Sequence, residues 1–359
     1  MLIIIKNKKC EKMGVPLGKL IEPCKQKIEL TAFSGKKLGF DASNTLFQFV
    51  TTIRGQDGQP LMNEKGEITS HLNGLFYRLL NLKSLGIDIT FIFDGESPYL
   101  KKTTKQERRE RRTIAQQKLE IAKEENDLMA MQKYARQAAT INEKIINESK
   151  ELLYSMGIPY IQAPGEAEAQ IAFMVSQGML DYCVSQDYDC FLFGSPNLLK
   201  NIAISGKKKL PYKNVYVDVY PTIIESKCIF DLLQIDRDQL IWLAILIGTD
   251  FNPKVPGIGP KTALEIVKKN NSFENIMTFL KTKNKEISFD YKEIENIFKT
   301  PNIDKNPKIE KGEFNRKSIE KILIDKANFS QERVTKHLDE YIVKIIEKEK
   351  QKTLSDWFR

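Results

Sequence analysis

Histidine is almost missing from these 359 residues, with only His71 and His337. The five cysteines, Cys10, Cys24, Cys183, Cys190 and Cys228, are odd in number and scattered without one Cys-x-x-Cys pair. Those shortages argue against a zinc centre and against a disulfide framework. The thiols read as reduced, partly buried small hydrophobes. Long apolar runs are also lacking, and nothing approaches the roughly 20 residues that a membrane span needs. The opening Leu2-Ile3-Ile4-Ile5 is followed by Lys6, Lys8 and Lys9. It is too short for the apolar region of a secretory signal. An intracellular chain with no membrane partner is expected. Internal repeats and low-complexity tracts are absent as well.

Hydrophobic residues make up 41% and charged residues 29% of the chain, a balance that suits a soluble domain with a large core. The net charge is +9, of which the first twelve residues, with four lysines and one glutamate, supply three. An excess of positive charge suits a polyanionic partner.

Two short apolar runs end in aspartate, Lys37–Asp41 and Ile89–Asp94, and a third, Asp181–Ser185, is followed by Asp187 and Asp189. They alternate with helical patterns at Ser43–Ile53, Ser70–Leu85, Glu143–Met156 and Ala167–Gln177. That alternation implies an α/β fold with a mostly parallel central sheet flanked by helices. A further strand is expected at Asn214–Val219, near the sheet edge. From about Arg237 the pattern turns helical, over Leu240–Gly248, Lys261–Lys269, Phe273–Leu280, Ser318–Ile324 and Gln331–Glu349. The stretch Lys299–Lys317 reads as a loop. Lys101–Thr140 stands apart, because Lys101–Arg112 carries seven Lys/Arg against two Glu. So thin an apolar stripe buries little, which suggests a projecting helical arch or, equally, a solvated surface helix.

In open parallel sheets, sites form beyond the carboxyl ends of the strands. Asp41 and Asp94 fall there, and Asp187 and Asp189 follow another strand, where i, i+2 spacing in extended chain aims both side chains one way. Glu166 and Glu168 open a helix after Pro164-Gly165, and Asp250 follows an apolar helix. Each has an ordinary reading: Asp41 as a helix cap, Glu166 as a partner of the helix dipole, Asp187 and Asp189 as turn residues. Seven acids brought together would repel unless cations offset them, and hard Mg²⁺ or Mn²⁺ prefers such oxygen donors. Two ions about 4 Å apart suit phosphodiester hydrolysis.

These motifs resemble the flap endonuclease branch of the XPG-type 5′-nuclease family. The matching stretches are Met13–Gly18, Phe40–Ser43, Thr69–Leu72, Phe93–Gly95, Met156–Pro159, Ala163–Ala169, Ser185–Asp189, Ile247–Phe251 and Gly257–Lys261. The resemblance implies a PIN-like nuclease core that cuts 5′-flap DNA near the junction in Okazaki fragment maturation and repair, with possible 5′→3′ exonuclease activity. It implies that Asp41, Asp94, Glu166 and Glu168 hold one ion and Asp187, Asp189 and Asp250 complete a second site. Lys101 and Arg108 match basic residues at the scissile phosphate, or contact the DNA backbone more generally. Phe47 matches a stacking aromatic, with core packing the equal alternative. Thr69 and Ser70 match the segment that holds upstream duplex and a 3′ flap. Arg111 and Arg112 would add DNA contacts from the arch, 101–140. Gly257, Gly259 and Lys261 match the hairpin of a helix–two-turn–helix region, 237–280, that holds downstream duplex with K⁺. Lys207-Lys208-Lys209 is a further phosphate contact or a solvated loop tip.

The resemblance also makes the last residues a sliding-clamp (PCNA) peptide. Gln351, Leu354, Trp357 and Phe358 have its spacing, with one of the chain's two tryptophans in a polar tail. It divides the chain into an extension at 1–12, a nuclease domain at 13–342 and a tail at 343–359. Relatives begin at the equivalent of Met13, so either Met13 is the true start and 1–12 a misassigned one, or the extension routes away from the DNA. No Lys-rich tail follows the peptide, which implies an archaeal-type and hence cytoplasmic enzyme, expected to be a monomer. A bubble-cutting relative, which carries a longer arch insertion, and a clamp-tethered junction binder without catalysis are the competing readings.

Overall fold

Apolar runs that end in aspartate meet side by side in the computed structural model, which describes residues 14–55, 59–204, 206–209 and 216–357. The strands are β1 Gln26–Lys27, β2 Lys37–Asp41, β3 Asp88–Phe93, β4 Tyr160–Gln162, β5 Tyr182–Val184, β6 Asn197–Lys200, β7 Gly206–Lys209, β8 Tyr216–Val219 and β9 Thr222–Glu225. Seven of them form one sheet in the order β1-β9-β6-β5-β2-β3-β4. The five strands from β6 to β4 are parallel, whereas β9 and β1 are added antiparallel at one edge. Both faces are covered, by two separate apolar clusters, so the central strands read as continuous hydrophobic runs.

The order places β2 at the centre, with β3 on one side and β5 on the other. This is a topological switch point, where a crevice opens beyond the strand ends. Register makes those ends level: Asp41 pairs with Ile92 of β3, and its neighbour Phe40 with Val184 of β5. Gly39 permits the closest approach to this centre. A Cβ there would lie 2.6 Å from Leu180 Cδ1 and 3.0 Å from Ile171 Cγ2. The helix Ala167–Ser176, which carries Ile171, therefore packs directly over β2 and brings its N-terminus to the crevice.

Several expectations need correction. The strand expected at the sheet edge over Asn214–Val219 instead pairs as β8 with β7 in a separate two-stranded ribbon. Cys24 and Cys228 form a disulfide with Cα atoms 5.7 Å apart, against the expectation of reduced thiols. A separation of 204 residues hides such a pair from linear reading. Cys183 and Cys190 are free and buried, as expected, and Cys10 lies outside the described residues. The last helix runs without a break over Gln331–Trp357, past the expected end at Glu349, and its backbone includes Gln351, Leu354 and Trp357. Residues 1–13 and Phe358 lie outside the described residues, as do the side chains of Lys207, Lys208 and Lys209. Among the described residues no helix is long and apolar enough to cross a membrane.

The region 101–140 is a helical hairpin, Lys101–Glu124 and Leu128–Gln137, turned at Asn126 with φ 52°. Its stripe of Ala115, Leu119, Ala122 and Ala135 packs helix on helix, which leaves Ile114, Ile121, Leu128 and Met129 exposed. The hairpin is tied to the body at its base. Thr104 Oγ1 donates to the Asp250 carbonyl at 2.9 Å, and Arg54 Nη2 donates to the Ala135 carbonyl. The helix pair expected at 237–280 is Arg237–Ile247 and Pro260–Lys268. The turn between them bends at Gly248, φ 94°, and Gly257, φ 72°.

Candidate active site

Asp41 is the last residue of β2 and also the N-cap of the helix Ala42–Thr52, where it accepts the backbone N–H of Asn44 at 3.0 Å. The capping role and the strand-end placement coexist in one carboxylate. Asp94 follows β3 and accepts Ala167 N at 2.9 Å through one oxygen and Ser43 Oγ at 2.5 Å through the other. Glu166 is the N-cap of the helix Ala167–Ser176 but makes no capping bond of its own, because Asp94 takes that role. Glu168, in the first turn, accepts Ser185 Oγ at 2.8 Å.

Asp187 and Asp189 do not lie in extended chain as expected. Residues 186–188 bend, and Asp189 starts the short helix Asp189–Leu192. The bend still leaves both carboxylates facing the others. Asp187 Oδ2 accepts Asn44 Nδ2 at 2.7 Å, and Asp189 Oδ1 accepts Val15 N at 2.9 Å. The first described residues thus run along the site. Gly14, at φ 76°, approaches so closely that a Cβ would lie 2.8 Å from Asp187 Cβ.

Asp250 lies beyond the helix Arg237–Ile247 and meets the arch. Arg108 Nη2 donates to Asp250 Oδ1 at 2.5 Å. The Lys101 ammonium contacts Glu166 and lies 3.8 Å from Asp250 Oδ2, over the Phe251 ring. Lys101 and Arg108 are therefore brought to the acids, and the carboxylates beside Lys101 hold its ammonium well above the ordinary lysine range despite burial. Among the described residues no three His, Cys, Asp or Glu side chains are gathered so as to hold a metal ion. The protein's own cations grip two of the acids, Glu166 and Asp250. The donor set nevertheless fits hard divalent cations, being seven carboxylates with no thiolate or imidazole among them.

Electrostatics supports that fit. Burial pushes the Asp41 and Glu168 carboxyls well up, helped by Asp94 and Asp189 respectively. Burial and then Asp189 push Asp187 up to about 7, while burial and then Asp250 push Asp189 up to about 6. Burial also raises Glu166, against the pull of Lys101. A carboxyl raised on folding contributes stability in its protonated form, present at low pH and lost as pH rises through the folded value. For Asp187 the window runs from 3.8 to about 7, an upper figure of roughly 4 kcal/mol at 1.36 kcal/mol per pH unit. In chelator, the melting temperature is expected to fall between pH 5 and pH 8, and Ca²⁺ to restore more of it at pH 8 than at pH 5. Thermal melts of the protein and of Asp187→Asn check this, since the substitution should flatten the slope.

The remaining site expectations sort by exposure. Phe47 is half-buried and packs on the apolar cluster with part of its ring outside. Ser70 is buried, its hydroxyl donating to the Ile53 carbonyl and accepting Leu61 N, so it braces the turn between them. Thr69 is buried beside it. Both side chains thus lie beneath the surface of the segment expected to hold upstream duplex. Arg111 is exposed and pairs with Glu107, and Arg112 donates to Thr140 Oγ1 at 3.2 Å. Gly257 and Lys261 are exposed and Gly259 is the N-cap of the helix Pro260–Lys268. Sequence reasoning missed Asn44, Ser43, Ser185 and Lys200. The Lys200 ammonium donates to the Gln186 carbonyl and lies 3.8 Å from the Tyr188 ring centroid.

The model of the XPG N-terminal domain matches residues 13–115, and that of the XPG I-region matches 157–250. Flap endonuclease 1 of Nanoarchaeum equitans is 42% identical over 96% of this chain and 99% of its own length. The Pyrococcus furiosus protein of that name is 44% identical over 97% and 100%. Among solved structures, flap endonuclease-1 from Methanococcus jannaschii superposes with a TM-score of 0.72 at 37% identity, covering 93% of this chain and all of that one. The catalytic core of Rad2 in complex with a DNA substrate gives 0.66 at 25% identity, over 91% and 99%. With two family models on the two halves of the carboxylate site and near-complete coverage by relatives above 40% identity, the chain belongs to the flap endonuclease family of XPG nucleases, metal-dependent and structure-specific DNA hydrolases.

Proposed function

We propose that this chain hydrolyses one phosphodiester near the junction of a 5′-flap DNA at the crevice between β2 and β5, with two divalent ions, Mg²⁺ foremost and Mn²⁺ as substitute. The observation that carries the reading is that seven carboxylates from five separate chain segments act electrostatically on one another and on two arch cations beyond the strand ends. Asp41, Asp94, Glu166 and Glu168 would hold one ion, and Asp187, Asp189 and Asp250 the other. Bound ions supply the Lewis acidity that activates water and offsets charge on the scissile phosphate. The chain's residues do the rest. Lys101 and Arg108, at the base of the arch, face the same carboxylates and would stabilise charge on the phosphate oxygens. The oxygen of water would add to phosphorus as the bond to the 3′ oxygen breaks; that oxygen would leave as a 3′-hydroxyl carrying one of water's protons, and the other proton would pass to solvent, leaving a 5′-phosphate.

Binding is spread over other elements. Exposed Arg111, and Arg112 beside it, line the arch through which a single strand would pass. Gly257, Gly259 and Lys261 present backbone and one ammonium at a helix N-terminus, suited to duplex phosphates and a K⁺ ion. Phe47 offers its outer face for stacking. The end of the helix Gln331–Trp357 would dock on a sliding clamp through Gln351, Leu354, Trp357 and Phe358, with the nuclease itself a monomer. The domain limits 13–342 and 343–359 are retained as functional divisions only.

Cleavage of an end-labelled double-flap DNA with Mg²⁺, using the full chain and a version starting at Met13, tests this reading. One cut near the junction, lost on adding chelator, is expected. If neither version cuts any branched DNA, the chain is a junction binder instead. A difference between the two versions would show that the basic extension reaches the site that Gly14 adjoins.

A further inference from the structure

We propose that Asn44 is a positioning residue that fixes Asp187 in the site by bridging the ends of β2 and β5. The inference rests on the reading of Asp187 as part of the ion site. Asn44 is 7% exposed and uses three polar groups at once. Its backbone N–H donates to Asp41 Oδ1 at 3.0 Å, its Nδ2 donates to Asp187 Oδ2 at 2.7 Å, and its Oδ1 accepts Gln186 N at 3.0 Å. Because Oδ1 must face a backbone donor, the amide orientation is fixed and Nδ2 can only point at the carboxylate.

The bridge matters because the loop 185–189 has no ladder to hold it. β5 ends at Val184, and the chain bends until the helix at Asp189. Gln186 is gripped from both sides, its N–H by Asn44 and its carbonyl by the Lys200 ammonium. Gly14 closes the other flank of Asp187. Asn44 is hydrogen-bonded both to the carboxylate and to the backbone beside it. Partners of this kind around metal-binding carboxylates typically change ion affinity by about 10–100-fold when removed.

Mn²⁺ binding to the full chain, followed by calorimetry without DNA, tests the assignment through Asn44→Ala, Asp187→Asn and their combination. Asn44→Ala is expected to weaken Mn²⁺ binding about tenfold. The same change should have no further effect once Asp187 is asparagine. Asn44→Thr has one hydroxyl for two partners and should fall between wild type and alanine. It also carries the test if the alanine variant does not fold. If Asp187→Asn leaves Mn²⁺ binding intact, the ion-site reading fails and this inference with it. If Asp187→Asn weakens binding but the Asn44 variants do not, the positioning role alone is overturned. Equal losses from Asn44→Ala in both backgrounds would show a structural role and overturn it too.

Discussion

Asp187→Asn is expected to slow flap cleavage by at least about a thousandfold while raising the melting temperature of the chelated protein at pH 8. The two effects share one cause. Asp187 is forced to share a crevice with Asp189 and Asp250, so its charge opposes folding when no cation is bound. Asparagine keeps the shape and an acceptor for Asn44 Nδ2, which preserves the bridge, and removes the charge that a divalent ion needs. Affinity for branched DNA should stay within about threefold, since phosphate contacts on other elements supply it. Single-turnover cleavage, thermal melts and a binding assay in Ca²⁺ check the three parts. A variant that cuts at more than about a tenth of the normal rate would remove Asp187 from the ion site. A lower melting temperature would mean that the carboxylate is structural.

The sequence made the carboxylates visible because they end or follow apolar runs whose length and β-branching mark strands. β2, β3 and β5 were legible for that reason, to within a residue or two. β5 has only three residues and was found through Asp187 and Asp189 after it; β4, β6 and β9, with three or four residues, and β1, with two, carry no such marker and are too short for periodicity to register. Strand order was out of reach, because no local pattern says that β5 rather than β4 lies beside β2. The same limit hid the disulfide between Cys24 and Cys228. The arch was legible as a charge-rich region, but the pairing of its two helices through alanines was not, since alanine scarcely alters an apolar stripe. Asn44 left a faint signal. It is a polar residue among buried Ala42, Thr45, Leu46 and Phe49, three positions after the capping Asp41. Ser185 and Lys200 likewise sit at strand ends, where a polar side chain after a buried run invites a question about its partner.

Lys101→Ala and Arg108→Ala should each slow cleavage about a hundredfold at saturating DNA, and for a reason that the ion pairs make testable. Lys101 is 16% exposed and touches Glu166, which is 13% exposed, whereas Arg108 is 30% exposed and holds Asp250. Without the lysine, Glu166 loses its cation in a crowded anionic crevice. Breaking so enclosed a pair costs about 2 kcal/mol after allowance for partial solvent screening. The chelated Lys101→Ala protein is therefore expected to melt below wild type. Divalent ions should restore it by more than they raise wild type, because the substitution removes a competitor for the carboxylate. Arg108→Ala should show the same pattern more weakly, its pair being more exposed. A general backbone contact predicts something else: weaker DNA binding with a shallower salt dependence and little loss at saturation. Rates measured at saturating DNA, beside melts with and without Ca²⁺, separate the two roles. A rate within about threefold of wild type for both variants would place these cations in DNA binding alone.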